Sequence, residues 1–184
     1  MIKPYLYQLF IRQWTGYSFL LGLIVGCAAY FLDIPLLYPL AFVLMTNMFD
    51  LLGYGQIMQP IYDADKMSLD KYAIESRIYK EVLPYYRIIQ KLFIFQLANY
   101  VWILTDNWVI ALACLCSNFG GFQDVLYYFF GRYNFNQDYT WLKWTPLGML
   151  LGDLNKTEFI IQGIVSFGLI IILIWSLANL RLLT

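Results

Sequence analysis

The sequence predicts an all-α integral membrane protein of about five transmembrane helices, with short interfacial and amphipathic helices beside them. Hydrophobic residues make up 61% of the 184 and charged residues only 13%, against about a quarter charged in soluble domains. One small core cannot hide that apolar share, so the surplus faces lipid. Five stretches approach the ~20 apolar residues that a helix needs to cross a ~30 Å hydrocarbon core. Their flanking basic residues fall almost entirely on one side.

Residues 2–14 place Ile2, Tyr5, Leu6, Leu9 and Phe10 on one helical face, the pattern of a short helix lying on the membrane. The first span, about 17–32, is free of charge. Asp33-Ile34-Pro35 is a turn signal leading directly into the second span, about 36–52. The third, about 85–105, opens with Arg87 and Lys91, whose long side chains reach back to the surface. Thr105-Asp106-Asn107 is a polar turn into the fourth, about 108–130, and 159–180 forms a strongly aliphatic fifth. The tight links pair spans one with two and three with four as hairpins. The chain reads as a single membrane domain over 1–184, without a sustained internal repeat.

Between spans two and three, residues 53–83 form a cytoplasmic amphipathic segment. Leu69, Tyr72, Ala73, Ser76, Tyr79 and Leu83 recur at helical spacing, and Lys71–Glu75 and Arg77–Glu81 are paired four apart. It reads as a solvated helix resting on the bundle, or with Arg77, Lys80 and Arg87 as a receiver for an anionic headgroup. Residues 131–156 carry Tyr133, Tyr139, Trp141 and Trp144, rings suited to the headgroup level, and residues 146–152 are too short to cross. Counting loops, Lys3, Arg12, Lys66, Lys71, Arg77, Lys80, Arg87, Lys91, Arg132, Lys143 and Lys156 share one side, and Arg181 stands alone on the other. The positive-inside rule then puts the N-terminus in the cytoplasm and the C-terminus outside. Asn155-Lys156-Thr157 is a glycosylation sequon on the cytoplasmic side, where it stays unmodified. Ile24-Val25-Gly26-Cys27 resembles a bacterial lipoprotein cleavage box, but the apolar run continues past it, favouring a retained span.

Several chemistries are excluded. The chain has no histidine, which removes Ser-His-Asp and Cys-His machinery, histidine-held haem and zinc sites of the HExxH kind. Equal numbers of basic and acidic residues, 12 and 12, give no general attraction for nucleic acid. Cys27, Cys114 and Cys116 sit in apolar stretches and read as small buried hydrophobes.

Chemistry therefore rests on polar residues inside the spans, which are costly there. Thr46, Asn47 and Asp50 share a face of span two. Ser117, Gly121, Asp124 and Tyr128 follow a four-three-four spacing that makes one face of a continuous span four. Gln96 and Asn99 lie three apart in span three, and Glu158, Gln162 and Ser166 lie in span five. At ~1.5 Å per residue, Asp50 lies about 21 Å and Asp124 about 24 Å from the outer ends of their spans. If spans two and four touch, Asp50 and Asp124 face one another across a pocket lined by Asn47, Asn118, Gln123 and Tyr128. Two such carboxyls share a proton, as an acid and base pair, or hold a hard cation such as Mg²⁺. The bland alternative is that each stays wet, capping a helix end or pairing with Arg87 or Arg132.

Gly120-Gly121 inside span four marks either the close approach of a neighbouring helix or a broken helix with exposed backbone. Gly22 and Gly26 form GxxxG, serving an internal contact or a homo- or hetero-oligomer. Asn47-Met48-Phe49-Asp50 is similar to part of the aspartate-rich signature of membrane prenyltransferases. Asp153-Leu154-Asn155 does not reproduce that family's second aspartate-rich loop, and four residues assign no family.

The resulting expectation is a membrane-embedded enzyme acting on a lipid or isoprenoid at the cytoplasmic leaflet. Asp124 and Asp50 serve as acid/base residues or metal ligands, Asn47 and Gln123 orient the substrate, and Tyr127 or Tyr128 donates hydrogen bonds or stacks. The alternative is a non-catalytic structural or assembly subunit of a larger membrane complex. A solute carrier is disfavoured because the spans show no inverted repeat.

Overall fold

The structure, a computed structural model, describes residues 14–53, 83–131 and 155–181 with Tyr7, Phe10, Met149 and Leu150; at 50–53, 83 and 178–181 it describes the backbone alone. Among these residues the fold is all-helical: α1 Thr15–Phe31, α2 Leu37–Gly53, α3 Leu83–Thr105, α4 Trp108–Phe119, α5 Phe122–Gly131 and α6 Lys156–Arg181. Most of the expected surface helix over 2–14, almost all of the 53–83 segment and most of 131–156 lie outside the described residues.

Each helix boundary has a local cause. After α1, Leu32 N donates to Ala28 O at 3.0 Å and Ile34 N to Ala29 O at 3.0 Å. Asp33 takes the left-handed conformation, φ 52°, one that Asp tolerates better than most residues. Pro35, which lacks an N–H, then helps start α2. The α3–α4 turn repeats the device with Asp106 at φ 47°. Asn107 Oδ1 there accepts from Val109 N at 3.0 Å, capping α4. At α6, Asn155 Oδ1 accepts from Glu158 N at 3.0 Å while Glu158 Oε2 accepts from Asn155 N at 2.8 Å. That is a reciprocal capping box.

Helix α2 is the hub, packing on α1, α3, α4 and α5. Tyr38, Ala41, Phe42, Val43 and Leu44 are therefore buried in almost unbroken succession. Its core partners are Ala29 from α1, Ile94, Ala98 and Val101 from α3, and Ile110 and Cys114 from α4. Helix α6 packs against α4 and α5, with Ala113, Ile170 and Ile174 in contact. Lipid chains are as apolar as leucine, so close packing and hydrogen bonds hold such helices together more than burial from water does. The Gly22–Gly26 face meets that need inside the chain. A Cβ at Gly22 would lie 2.6 Å from Met45 Cγ and 2.9 Å from Met45 N, and one at Gly26 3.6 Å from Ala41 Cβ.

Two helical stretches, Pro84–Thr105 and Lys156–Leu177, are long and apolar enough to cross a membrane. Trp108–Phe119 with Phe122–Gly131 makes a third if that pair, bent by 58°, counts as one span. The apolar stretches Thr15–Phe31 and Leu37–Phe49 are shorter. By length and composition, two to three of the described helices could cross a membrane, and the full number of about five is not reached on that criterion. The expected continuous span 108–130 is corrected in particular. Gly121 has φ +89°, a conformation that leaves the helical path, and the chain restarts as α5. Ser117 therefore ends up on one helix and Asp124 and Tyr128 on another, so the expected common face does not form.

Candidate functional site

The break is held by α6. A Cβ at Gly120 would lie 2.7 Å from Ser166 Oγ, and one at Gly121 2.8 Å from Gln162 Nε2. Ser166 Oγ donates to Gly120 O at 2.7 Å, giving a partner to a carbonyl at the end of α4. Gly163 completes the contact, its Cα facing Val125 Cγ2 and Gly121 O. Both sequence alternatives for the glycine pair thus hold together: the helix breaks, and a neighbour closes on the break.

Beside it, amides and hydroxyls from four helices converge. Asn118 Nδ2 donates to Thr46 Oγ1 at 3.0 Å. Thr46 Oγ1 lies 2.9 Å from Phe42 O and 3.4 Å from Gln123 Oε1. Its single proton serves one acceptor at a time. On the other side of α2, Asn47 Nδ2 donates to Ser18 Oγ at 3.2 Å, and Ser18 Oγ donates to Leu44 O at 2.8 Å. The adjacent residues Thr46 and Asn47 thus serve different interfaces, toward α4–α5 and toward α1. Thr15, Ser18, Thr46, Asn47 and Ser117 are wholly buried, and Asn118 and Gln123 nearly so. Among the described residues, Asn47 Oδ1 and Thr15 Oγ1 have no hydrogen-bond partner.

The Asn118–Thr46 bond establishes the contact between spans two and four that the sequence left conditional. Thr46 lies nine residues from the start of α2 and Asn118 ten from the start of α4, each about 15 Å along its helix. The cluster is therefore level across the two helices.

The expected site residues divide accordingly. Asn47, Asn118 and Gln123 belong to the cluster. Tyr128 is buried, edge-on to Phe159 with centroids 5.6 Å apart and to partly buried Tyr127 at 5.5 Å. Asp124 is partly buried in the first turn of α5, where the helix dipole favours a carboxylate. With a 58° bend at the glycines, its depth measured along α4 falls from the expected value to about 21 Å. Asp50 lies on α2, its side chain outside the described residues, as is Arg77. Arg87 is exposed near the start of α3. Among the described residues no three His, Cys, Asp or Glu side chains gather as for a metal, and the Mg²⁺ alternative depends on Asp50. Sequence reasoning missed Thr15 and Ser18, although two hydroxyls three apart at the entry to the charge-free first span were a visible signal.

Comparison with family models, with characterised proteins and with solved structures finds no match for this chain.

Proposed function

We propose that the chain is a five-span membrane protein, N-terminus in the cytoplasm and C-terminus opposite, that draws the polar head of a lipid or isoprenoid into its core from the cytoplasmic leaflet and acts on it there. The supporting observation is Asn47 Oδ1, a wholly buried acceptor without a partner among the described residues. Such an oxygen is costly unless a donor meets it, and a lipid hydroxyl or protonated headgroup supplies one. In this reading Asn47 orients the head from the α1 side of α2, Gln123 serves the α4–α5 side beside Thr46, Asp124 with Asp50 exchanges protons, and Tyr127 or Tyr128 hydrogen-bonds or stacks. Arg77 and Arg87 draw an anionic headgroup to the entry. The 17-residue helices α1 and α2 count as spans because their turn and their packing make them one hairpin.

The test combines two measurements on the purified chain. Mass spectrometry of co-purified lipid should find one class retained by the native protein and lost on Asn47→Leu. Asp124→Asn should then abolish its conversion while the lipid stays bound. Lipid content indistinguishable from the bulk membrane sinks the proposal. In a chain carrying Cys27→Ser and Cys116→Ser, whose native thiols are exposed, Asp33→Cys and Lys71→Cys should label from opposite sides of sealed vesicles; labelling from one side refutes the topology.

A second reading, a non-catalytic assembly subunit, is favoured by the neutrality of the described cluster, whose amides and hydroxyls tie α1, α2, α4 and α5 together. That reading expects Asp124→Asn to leave function intact.

A further inference from the structure

Helix α3 has two seams. One, Ile94, Ala98 and Val101, is buried against the bundle at 3%, 3% and 8% exposure. The other, Ile89, Leu92, Gln96, Asn99 and Ile103, repeats at spacings of three, four, three and four on the opposite side. Ile89, Leu92 and Ile103 are 65%, 63% and 74% exposed, and Gln96 and Asn99 are exposed as well. The spacing is that of a coiled-coil seam, yet no described residue packs there.

The amides make this face unlike the other outward faces. Beyond its first turn, α6 turns Ile161, Ile164, Val165, Leu169, Ile172 and Leu173 outward, which suits hydrocarbon. Gln96 and Asn99 lie twelve and fifteen residues into the stretch Pro84–Thr105, about 18 and 22 Å along a ~33 Å helix. At that depth there is no water to meet a carboxamide, and an unsatisfied one is strongly unfavourable. Other described amides are buried, partly buried or at helix caps. These two therefore call for a partner of their own kind.

We infer that the Ile89-Leu92-Gln96-Asn99-Ile103 seam is a dimer interface with a second copy of this chain, two α3 helices packing in parallel with Gln96 and Asn99 hydrogen-bonded across the axis. A carboxamide both donates and accepts, so the same residue on two copies is complementary to itself, as a two-fold interface requires. Parallel copies in one membrane bring Gln96 to Gln96 and Asn99 to Asn99 at equal depth. The seam holds no charged residue, so identical faces do not repel. Polar residues in an apolar heptad seam fix register and strand number. The inference rests on α3 crossing the bilayer and is independent of any lipid-acting site.

The experiment uses the full chain reconstituted in phosphatidylcholine vesicles, with Cys27→Ser and Cys116→Ser removing the two thiols that, against the expectation of burial, are exposed; Cys114 alone is buried. Ile103→Cys should cross-link copies on oxidation, whereas Ile161→Cys, on the outward face of α6, should not. Gln96→Leu with Asn99→Leu should weaken dimerisation at least ten-fold in a dilution series, equivalent to about 1.4 kcal/mol, while both proteins resist extraction from the membrane by alkali. Four results would overturn the inference: a native chain monomeric at every protein-to-lipid ratio, equal cross-linking at 161, a dimer indifferent to the two leucines, or pairing of the seam with a different membrane protein alone. Extraction of the native chain by alkali would instead refute the spanning of α3.

Discussion

Removing the Thr46 hydroxyl tests whether the amide cluster holds α2 to α4. In Thr46→Val the side chain keeps its shape and loses its oxygen. Asn118 Nδ2 then loses the acceptor it has at 3.0 Å, in a site where Thr46 is 0% and Asn118 8% exposed. The lost donation to Phe42 O matters less, because that carbonyl sits within the helical ladder of α2. An orphaned buried donor costs about 1–3 kcal/mol, and hydrogen bonds between membrane helices measure about 0.6–1.7 kcal/mol. We expect Thr46→Val to destabilise the fold by about 1.5 kcal/mol. Asn118→Leu removes the same bond without stranding a donor, so the double variant should be about 1 kcal/mol more stable than the sum of the singles. Equilibrium unfolding in mixed micelles with rising SDS fraction gives all three values. Additivity within about 0.3 kcal/mol, or a neutral Thr46→Val, would refute the role assigned to this bond.

Gly121→Ala, with its Cβ 2.8 Å from Gln162 Nε2 on a backbone at φ +89°, should lower the melting temperature, at a cost of about 1–3 kcal/mol. Gly168→Ala, with nothing within 4 Å, should be neutral or stabilise the fold by up to ~1 kcal/mol of helix propensity. Gly22→Val drives a side chain into the backbone at Met45 N and should cost about 1–3 kcal/mol by overpacking, seen as faster proteolysis at the α1–α2 turn, while Gly26→Ala is tolerated. Asn155→Ala should cost about 1 kcal/mol and speed amide exchange in the first turn of α6, leaving the rest of the helix unchanged.

Some of this was legible in the sequence. The hairpin tips were, because Asp before Ile-Pro and Asp before Asn, between apolar runs, leave few conformations other than tight turns. Asn47, Asn118 and Gln123 were legible because an amide in an apolar run must find a partner, and the partners proved to be Ser18 and Thr46. Thr15 and Ser18 escaped notice because helical hydroxyls so often bond their own turn, as Ser117 does to Ala113 O at 2.8 Å. The capping box of α6 was written in the Asn155–Glu158 spacing and passed over in favour of the overlapping sequon. The bend of α4 into α5 was only half legible: a glycine pair announces permissiveness, whereas its use depends on Gln162 and Ser166, more than forty residues away. The proposed pairing of Asp50 with Asp124 stays a matter of backbone depth.

If the helices all cross the bilayer as proposed, their unequal lengths set a condition on it. Helices α1 and α2, of 17 residues each, reach about 25 Å, whereas the 22-residue apolar stretches of α3 and α6 reach about 33 Å. One flat slab cannot match both. Either α3 and α6 lean by about 40° where the first hairpin fits, or the lipid thins on that hairpin's flank. Membrane thickness then becomes a variable that alters how the two hairpins and α6 lie against each other, and thin bilayers favour the arrangement that strains the lipid least.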